Sequence, residues 1–204
     1  MLIDETLDKI HKRVTWLERA AALAGRPRER LVALATAEER FRRLHAQHDL
    51  ALQAVLIAAQ LGQTRPEPED PLRRAERRLT DLLTDVIRDA VRSGDLPMRA
   101  GLSSEELAFT IWALTFGTRT LMHTRVATHE LAIADGHRVG REALSLLLDS
   151  LGWRPLTSEC DYDAVRQRVG ELLFRSNGSC PDKRRLSYLS WHRSRLLGQA
   201  EIHK

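Results

Sequence analysis

Apolar residues recur along this chain at the three- and four-residue spacing of an α-helix, in runs separated by short breaks rich in glycine and proline. Ile3, Leu7, Ile10, Val14, Leu17 and Ala21 mark a first amphipathic helix over about residues 2–24, stopped by Gly25-Arg26-Pro27. Pro27 opens a second, because its missing N–H is not needed in a first helical turn, and Leu31, Leu34, Phe41 and Leu44 carry it to about His45. Asp49 caps a third, in which Leu50, Ala54, Val55, Ile57, Ala58 and Leu61 are apolar almost all round, a pattern that predicts burial on more than one side. The stretch 62–71, GQTRPEPEDP, has three prolines and no periodicity and reads as a loop.

A fourth helix is expected over about residues 72–92, with Leu79, Leu82, Leu83, Val86, Ile87 and Val91 on its inner face, ended by Gly94-Asp95-Leu96-Pro97. Ser103 followed three residues later by Glu106 is a capping-box start for a fifth, which runs through Leu107, Ile111, Trp112, Leu114, Phe116 and Leu121. The sixth, about 137–151, contains Leu146-Leu147-Leu148 and closes at Gly152-Trp153-Arg154-Pro155. A short helix over about 161–174 follows, then a break at Ser176-Asn177-Gly178-Ser179. With no strand pattern, internal repeat or phosphate-binding glycine loop, the chain reads as an all-α multi-helix bundle. The expected division is a core at 2–155, a short C-terminal helix within 156–180 and a basic extension at 181–204.

Composition supports a packed globule: 204 residues, 43% hydrophobic and 29% charged. No run reaches the roughly 20 apolar residues of a membrane span, and the first residues lack the basic start of a signal peptide, so a cytoplasmic protein without a membrane partner is expected. The net charge of +4 resides in the tail, where residues 181–204 hold six basic residues against two acidic, while the first 180 residues balance at 26 of each. Basicity therefore gives no surface-wide field for nucleic acid. The tail interleaves Lys183, Arg184 and Arg185 with Tyr188 and Trp191, a combination suited to phosphates or an anionic membrane surface, although an unstructured C-terminus is the expectation.

Chemistry-bearing patterns are sparse. Cys160 and Cys180 have no CxxC spacing, and His45 with His48, or His123, His129 and His137, lack the fixed ligand spacing that a metal site needs. Glu-x-x-His, the mark of a di-iron helical bundle, occurs nowhere, and neither does a Gly-x-Ser-x-Gly nucleophile turn. Neither an enzyme nor a cofactor is expected.

Three stretches resemble one family. Arg26-Pro27-Arg28-Glu29-Arg30-Leu31 looks like the opening of the first helix hairpin in the regulatory core of TetR-type bacterial transcriptional regulators. Leu102-Ser103-Ser104-Glu105-Glu106-Leu107-Ala108, with Trp112-Ala113-Leu114 and Phe116-Gly117, looks like that core's penultimate helix; Leu148-Asp149-Ser150-Leu151-Gly152-Trp153 looks like the close of its last. The resemblance covers about residues 2–155 and implies a ligand-binding, dimerising core. It departs from the family at the front, where members carry a DNA-reading helix-turn-helix; the residues before Gly25 form one helix and leave no room for it. DNA is accordingly expected as a partner only if such a head precedes this sequence in a longer product.

The resemblance implies a homodimer in which the last two core helices pair with their mates through Leu107, Ile111, Leu114, Gly117, Leu121, Leu144, Leu147 and Leu151. The fifth helix also carries a second apolar face, Phe109, Trp112, Ala113 and Phe116, and both faces being intramolecular core is the alternative. For an apolar small-molecule effector, the expected contacts between helices are Phe41, His45, Gln53, Phe109, Trp112 and Phe116, aromatic residues with a few polar groups to orient the ligand. The function expected is thus the ligand-sensing and dimerisation domain of a TetR-like regulator; the alternative is a stand-alone helical dimerisation or small-molecule-binding module.

Overall fold

A computed structural model describes residues 2–48, 71–98, 101–124 and 129–174. Six helices order them: α1 (Leu2–Ala21), α2 (Pro27–Leu44), α3 (Pro71–Arg92), α4 (Ser104–Thr124), α5 (Gly136–Ser150) and α6 (Tyr162–Phe174), with no strand among the described residues. The helix expected near 50–61, the loop after it up to Asp70 and the basic tail lie outside the described residues.

Local chemistry sets the boundaries. Pro27 opens α2, and the Glu29 carboxylate reaches back to accept from the Arg26 backbone N–H at 2.8 Å. At α4 the capping box is reciprocal, since Glu106 N–H donates to Ser103 Oγ at 3.1 Å and Ser103 N–H donates to the Glu106 carboxylate at 2.7 Å. Asp135 caps α5 by accepting from the Arg138 N–H at 3.1 Å. Helix α1 stops at Ala21, three residues short of the expectation, because Leu23 N–H turns back to the Ala20 carbonyl and Arg30 Nε from α2 takes the Ala21 carbonyl at 2.8 Å.

The end of α5 is a Schellman motif. Gly152 adopts φ +70°, its N–H donates to the Asp149 carbonyl at 2.9 Å, and Trp153 N–H donates to the Leu148 carbonyl at 3.0 Å. This turn delivers Trp153 into the core, where it is fully buried. A β-carbon at residue 152 would have to adopt a strained left-handed backbone.

Helices α1, α2 and α3 pack against one another, α3 packs on α4, and α4 on α5. The buried set runs through all of them: Leu17 and Ala20, Leu31 and Phe41, Val86 and Ile87, Leu107 and Ile111, Leu144 and Leu148. Fully buried alanines at Ala20, Ala37 and Ala90 keep the helices close. At the α4–α5 contact glycines do the same work: a β-carbon at Gly136 would stand 2.8 Å from Met122 Cγ, and one at Gly140 would stand 2.8 Å from Thr118 Cγ2.

Helix α6 is tied down by one buried arginine. Arg28, 1% exposed on α2, shares its Nη1 among Asp149 Oδ1 at 2.6 Å and the carbonyls of Trp153 at 2.5 Å and Pro155 at 2.9 Å, while Nη2 donates to the Ser145 carbonyl at 3.3 Å. Its guanidinium lies 5.0 Å from the centre of the Tyr162 ring, and the Tyr162 hydroxyl donates to the Pro155 carbonyl at 2.5 Å. Residues Met1–Leu173 form one compact unit. No helix among the described residues is long and apolar enough to cross a membrane.

Candidate functional site

Three charged side chains occupy slots that helical periodicity assigns to the interior. On α1, Arg13 sits between Ile10 and Leu17 on the buried stripe; on α2, Glu38 follows Leu34 by one turn; on α4, Arg119 follows Ile111 and Thr115 in the same row. Burying one such charge alone is strongly unfavourable, so they must find each other. Arg13 Nε donates to both Glu38 oxygens at 3.1 and 3.0 Å and its Nη2 to Oε1 at 2.5 Å, while Nη1 bonds Glu76 of α3 at 2.8 Å. Arg42, one turn beyond Glu38, also bonds that carboxylate.

The electrostatics follow from this convergence. Burial by itself raises the Glu38 pKa, but the charges of Arg13, Arg42 and Arg119 with the Arg13 hydrogen bonds outweigh it and hold the carboxyl well below the usual range. Burial likewise works against the Arg13 charge, and Glu38 and Glu76 more than reverse it, raising its pKa.

This cluster borders a cavity of about 520 Å³ lined by residues from α1 to α5. Its walls are apolar, with Leu17 from α1, Leu31 and Leu34 from α2, Leu79, Leu82 and Leu83 from α3, Ile111 and Trp112 from α4, and Leu144 from α5. The polar lining is Arg13, Glu38 and Arg119, joined by Glu39, Arg42, Arg43, Arg141 and His137. Arg141 on α5 grips Glu39 on α2 with Nη1 at 3.0 and 3.1 Å from its two oxygens, bridging one side of the cavity. Burial lowers the His137 pKa more than the facing Glu39 raises it. A space of this size, mostly apolar with a few converging polar groups, has the dimensions and chemistry of a small-molecule site.

Of the ligand contacts expected from sequence, Trp112 lines this cavity and Gln53 lies outside the described residues. Phe41 is buried behind the wall, edge-on to Trp16 at 5.8 Å and against His45 at 4.7 Å, and neither Phe41 nor His45 lines the cavity. Burial, with Lys12 and Lys9 nearby, lowers the His45 pKa. Phe116 packs edge-on to Trp112 at 6.2 Å, with Arg119 4.9 Å from its ring centre. Phe109 is 65% exposed and does not line the cavity.

The residues expected at a dimer interface divide. Leu107, Ile111 and Leu144 are buried within the chain, because their row on α4 and α5 faces α3 and the cavity and is used up by the protomer's own core. Leu114, Gly117, Leu147 and Leu151 are half-buried, and Leu121 is exposed. What α4 turns outward is the row Phe109, Ala113, Gly117 and Leu121, spaced four apart, with Trp112 beside it; a β-carbon at Gly117 would meet nothing within 4 Å. Leu146 of α5 is also exposed.

Helical periodicity alone reads Glu38 and Glu39 as solvated surface carboxylates, whereas both line the cavity. The signal was present, a charge at an interior register on each of three amphipathic helices, but exposed-face charges look the same until the partner helices are placed. Among the described residues no three histidine, cysteine or acidic side chains gather as a metal site would require. Fold and cavity together define a helical bundle with an internal polar cluster beside an apolar space. Comparison with protein-family models, curated proteins and solved structures gives no match.

Proposed function

We propose that this chain is the effector-binding and dimerising core of a TetR-like bacterial regulator. The observation that carries the reading is the cavity of about 520 Å³ shared by α1 to α5, apolar in its walls and charged at one cluster. The outward apolar row of α4 supports the second half of the reading, since an exposed stripe of Phe109, Trp112 and Leu121 with a glycine notch at Gly117 suits close approach of a second copy. In this reading the two functions couple mechanically. Ile111 and Trp112 of α4 and Leu144 of α5 touch the cavity while the outer surface of α4 meets the mate, so a ligand that fits one α4–α5 arrangement better than another shifts the dimer toward it. Reading DNA belongs, on this proposal, to a helix-turn-helix in a longer product, and the setting is the bacterial cytoplasm.

Sedimentation velocity with a neutral apolar dye, Nile red, tests both halves. A dimer is expected, split by Leu121→Arg without loss of helical circular dichroism. Nile red is expected to bind once per protomer and to be excluded by Thr115→Trp, which fills the cavity from α4. A protomer that stays monomeric at all concentrations removes the dimerisation claim, and dye binding indifferent to Thr115→Trp removes the cavity.

A further inference from the structure

Helix α5 is tied to α2 at two points of unequal strength. Near its C-terminal end the buried Arg28 of α2 bonds Asp149 at 2.6 Å and the Ser145 carbonyl at 3.3 Å. About three turns further along α2, Glu39 accepts from Arg141 of α5 at 3.0 and 3.1 Å, and both of these side chains are half-buried. Water screens a half-buried pair, so it opens at small cost, whereas parting Arg28 from its acceptors strands a buried charge. On its other side α5 lies tightly on α4, where Met122 and Thr118 meet the backbone of Gly136 and Gly140 directly. The weaker tie stands at the cavity: Glu39 and Arg141 both line the space of about 520 Å³ and the void of about 30 Å³ beside the clasp.

Resting on the reading of this cavity as a ligand site, we propose that Glu39 and Arg141 are its specificity-determining pair, a latch that sets the distance between α2 and α5 and so selects apolar ligands by width. A narrow body fits with the pair closed. A wider one must part α5, and α4 with it, from α2 about the fixed clasp, and its affinity is reduced by the work of breaking the latch. Opening the latch strands no carboxylate, because Glu39 keeps Arg43 of its own helix at 2.6 Å.

The test compares two neutral fluorescent probes on the full chain, the naphthalene-based prodan and the broader, benzophenoxazine-based Nile red. Arg141→Met is expected to tighten Nile red about fivefold and to change prodan by less than about twofold, the largest ratio that a partly exposed ion pair sustains. Both probes are uncharged, so a general change in the electrostatics of the cavity moves them alike and the ratio reports width. Glu39→Gln, which keeps the side-chain volume, is expected to shift the ratio in the same direction, and it serves alone should Arg141→Met fail to fold. Arg141→Lys, with a cation again opposite Glu39, is expected to restore the wild-type ratio. Equal changes for the two probes overturn the latch and leave the cavity reading standing. A ratio that moves in Arg141→Met but not in Glu39→Gln overturns it as well, since lost side-chain bulk then accounts for the effect. If neither probe binds to a wild-type chain that is folded by circular dichroism, the cavity reading falls and this inference with it.

Discussion

Two buried arginines on neighbouring elements lead opposite lives. Arg28 is enclosed by carbonyls of Ser145, Trp153 and Pro155, by Asp149 and by the Tyr162 ring, beside a void of about 30 Å³. Its acceptors are mostly uncharged main-chain groups, fixed by the turn that follows α5, and only its Nε lacks one. Arg13 instead meets carboxylates from two other helices and borders a space of about 520 Å³. The first arrangement closes around its guanidinium and serves as a clasp; the second is an ion cluster that borders a cavity. Burial of charge thus marks structure in one place and a candidate site in the other, and what separates them is whether the partners close around the group or open onto space.

Breaking the clasp should have the larger effect. Arg28→Met removes the partner of Asp149 and of three carbonyls at once, and about 3 to 5 kcal/mol of stability is expected to go, read from urea denaturation, with ligand stoichiometry in the remaining folded fraction unchanged. Stability insensitive to this change would mean that α6 does not depend on the clasp.

Glu38→Gln tests the other region. About 1.5 to 3 kcal/mol should be lost at neutral pH, because charge-assisted hydrogen bonds from Arg13 and Arg42 become ordinary ones. Its pH profile is the sharper readout. The folded pKa of Glu38 is lowered, so the unfolded chain binds more protons and Glu38 contributes stability that is present above the unfolded value near 4.3 and is lost as the pH falls below it. The variant should therefore show a flatter acid limb than the wild type, whereas parallel limbs would refute the cluster's role. Smallest is Tyr162→Phe, which deletes one hydrogen bond to the Pro155 carbonyl and keeps the ring under Arg28; about 0.5 to 1.5 kcal/mol is expected by thermal melting. A loss as large as that of Arg28→Met would make the hydroxyl, not the arginine, the centre of the clasp.

Helix positions were legible because their causes are local. Pro27, the Ser103 and Glu106 pair, and Gly152 each act within a turn of the chain, and periodicity did the rest. The site was only partly legible. Trp112 lines the cavity, but α4 carries two apolar faces, and periodicity cannot say which apolar row faces inward when both qualify. In the folded chain Leu107 and Ile111 are buried and Phe109 is exposed.

By itself, then, the sequence determined an all-helical chain, its breaks and its caps, through interactions spanning three or four residues. Only tertiary structure decided which face of α4 is core, that Arg13 meets Glu38 across 25 residues and Glu76 across 63, and that these groups border a cavity. Those outcomes depend on where other helices lie, and a charged residue read along one helix looks the same whether water or a carboxylate waits opposite.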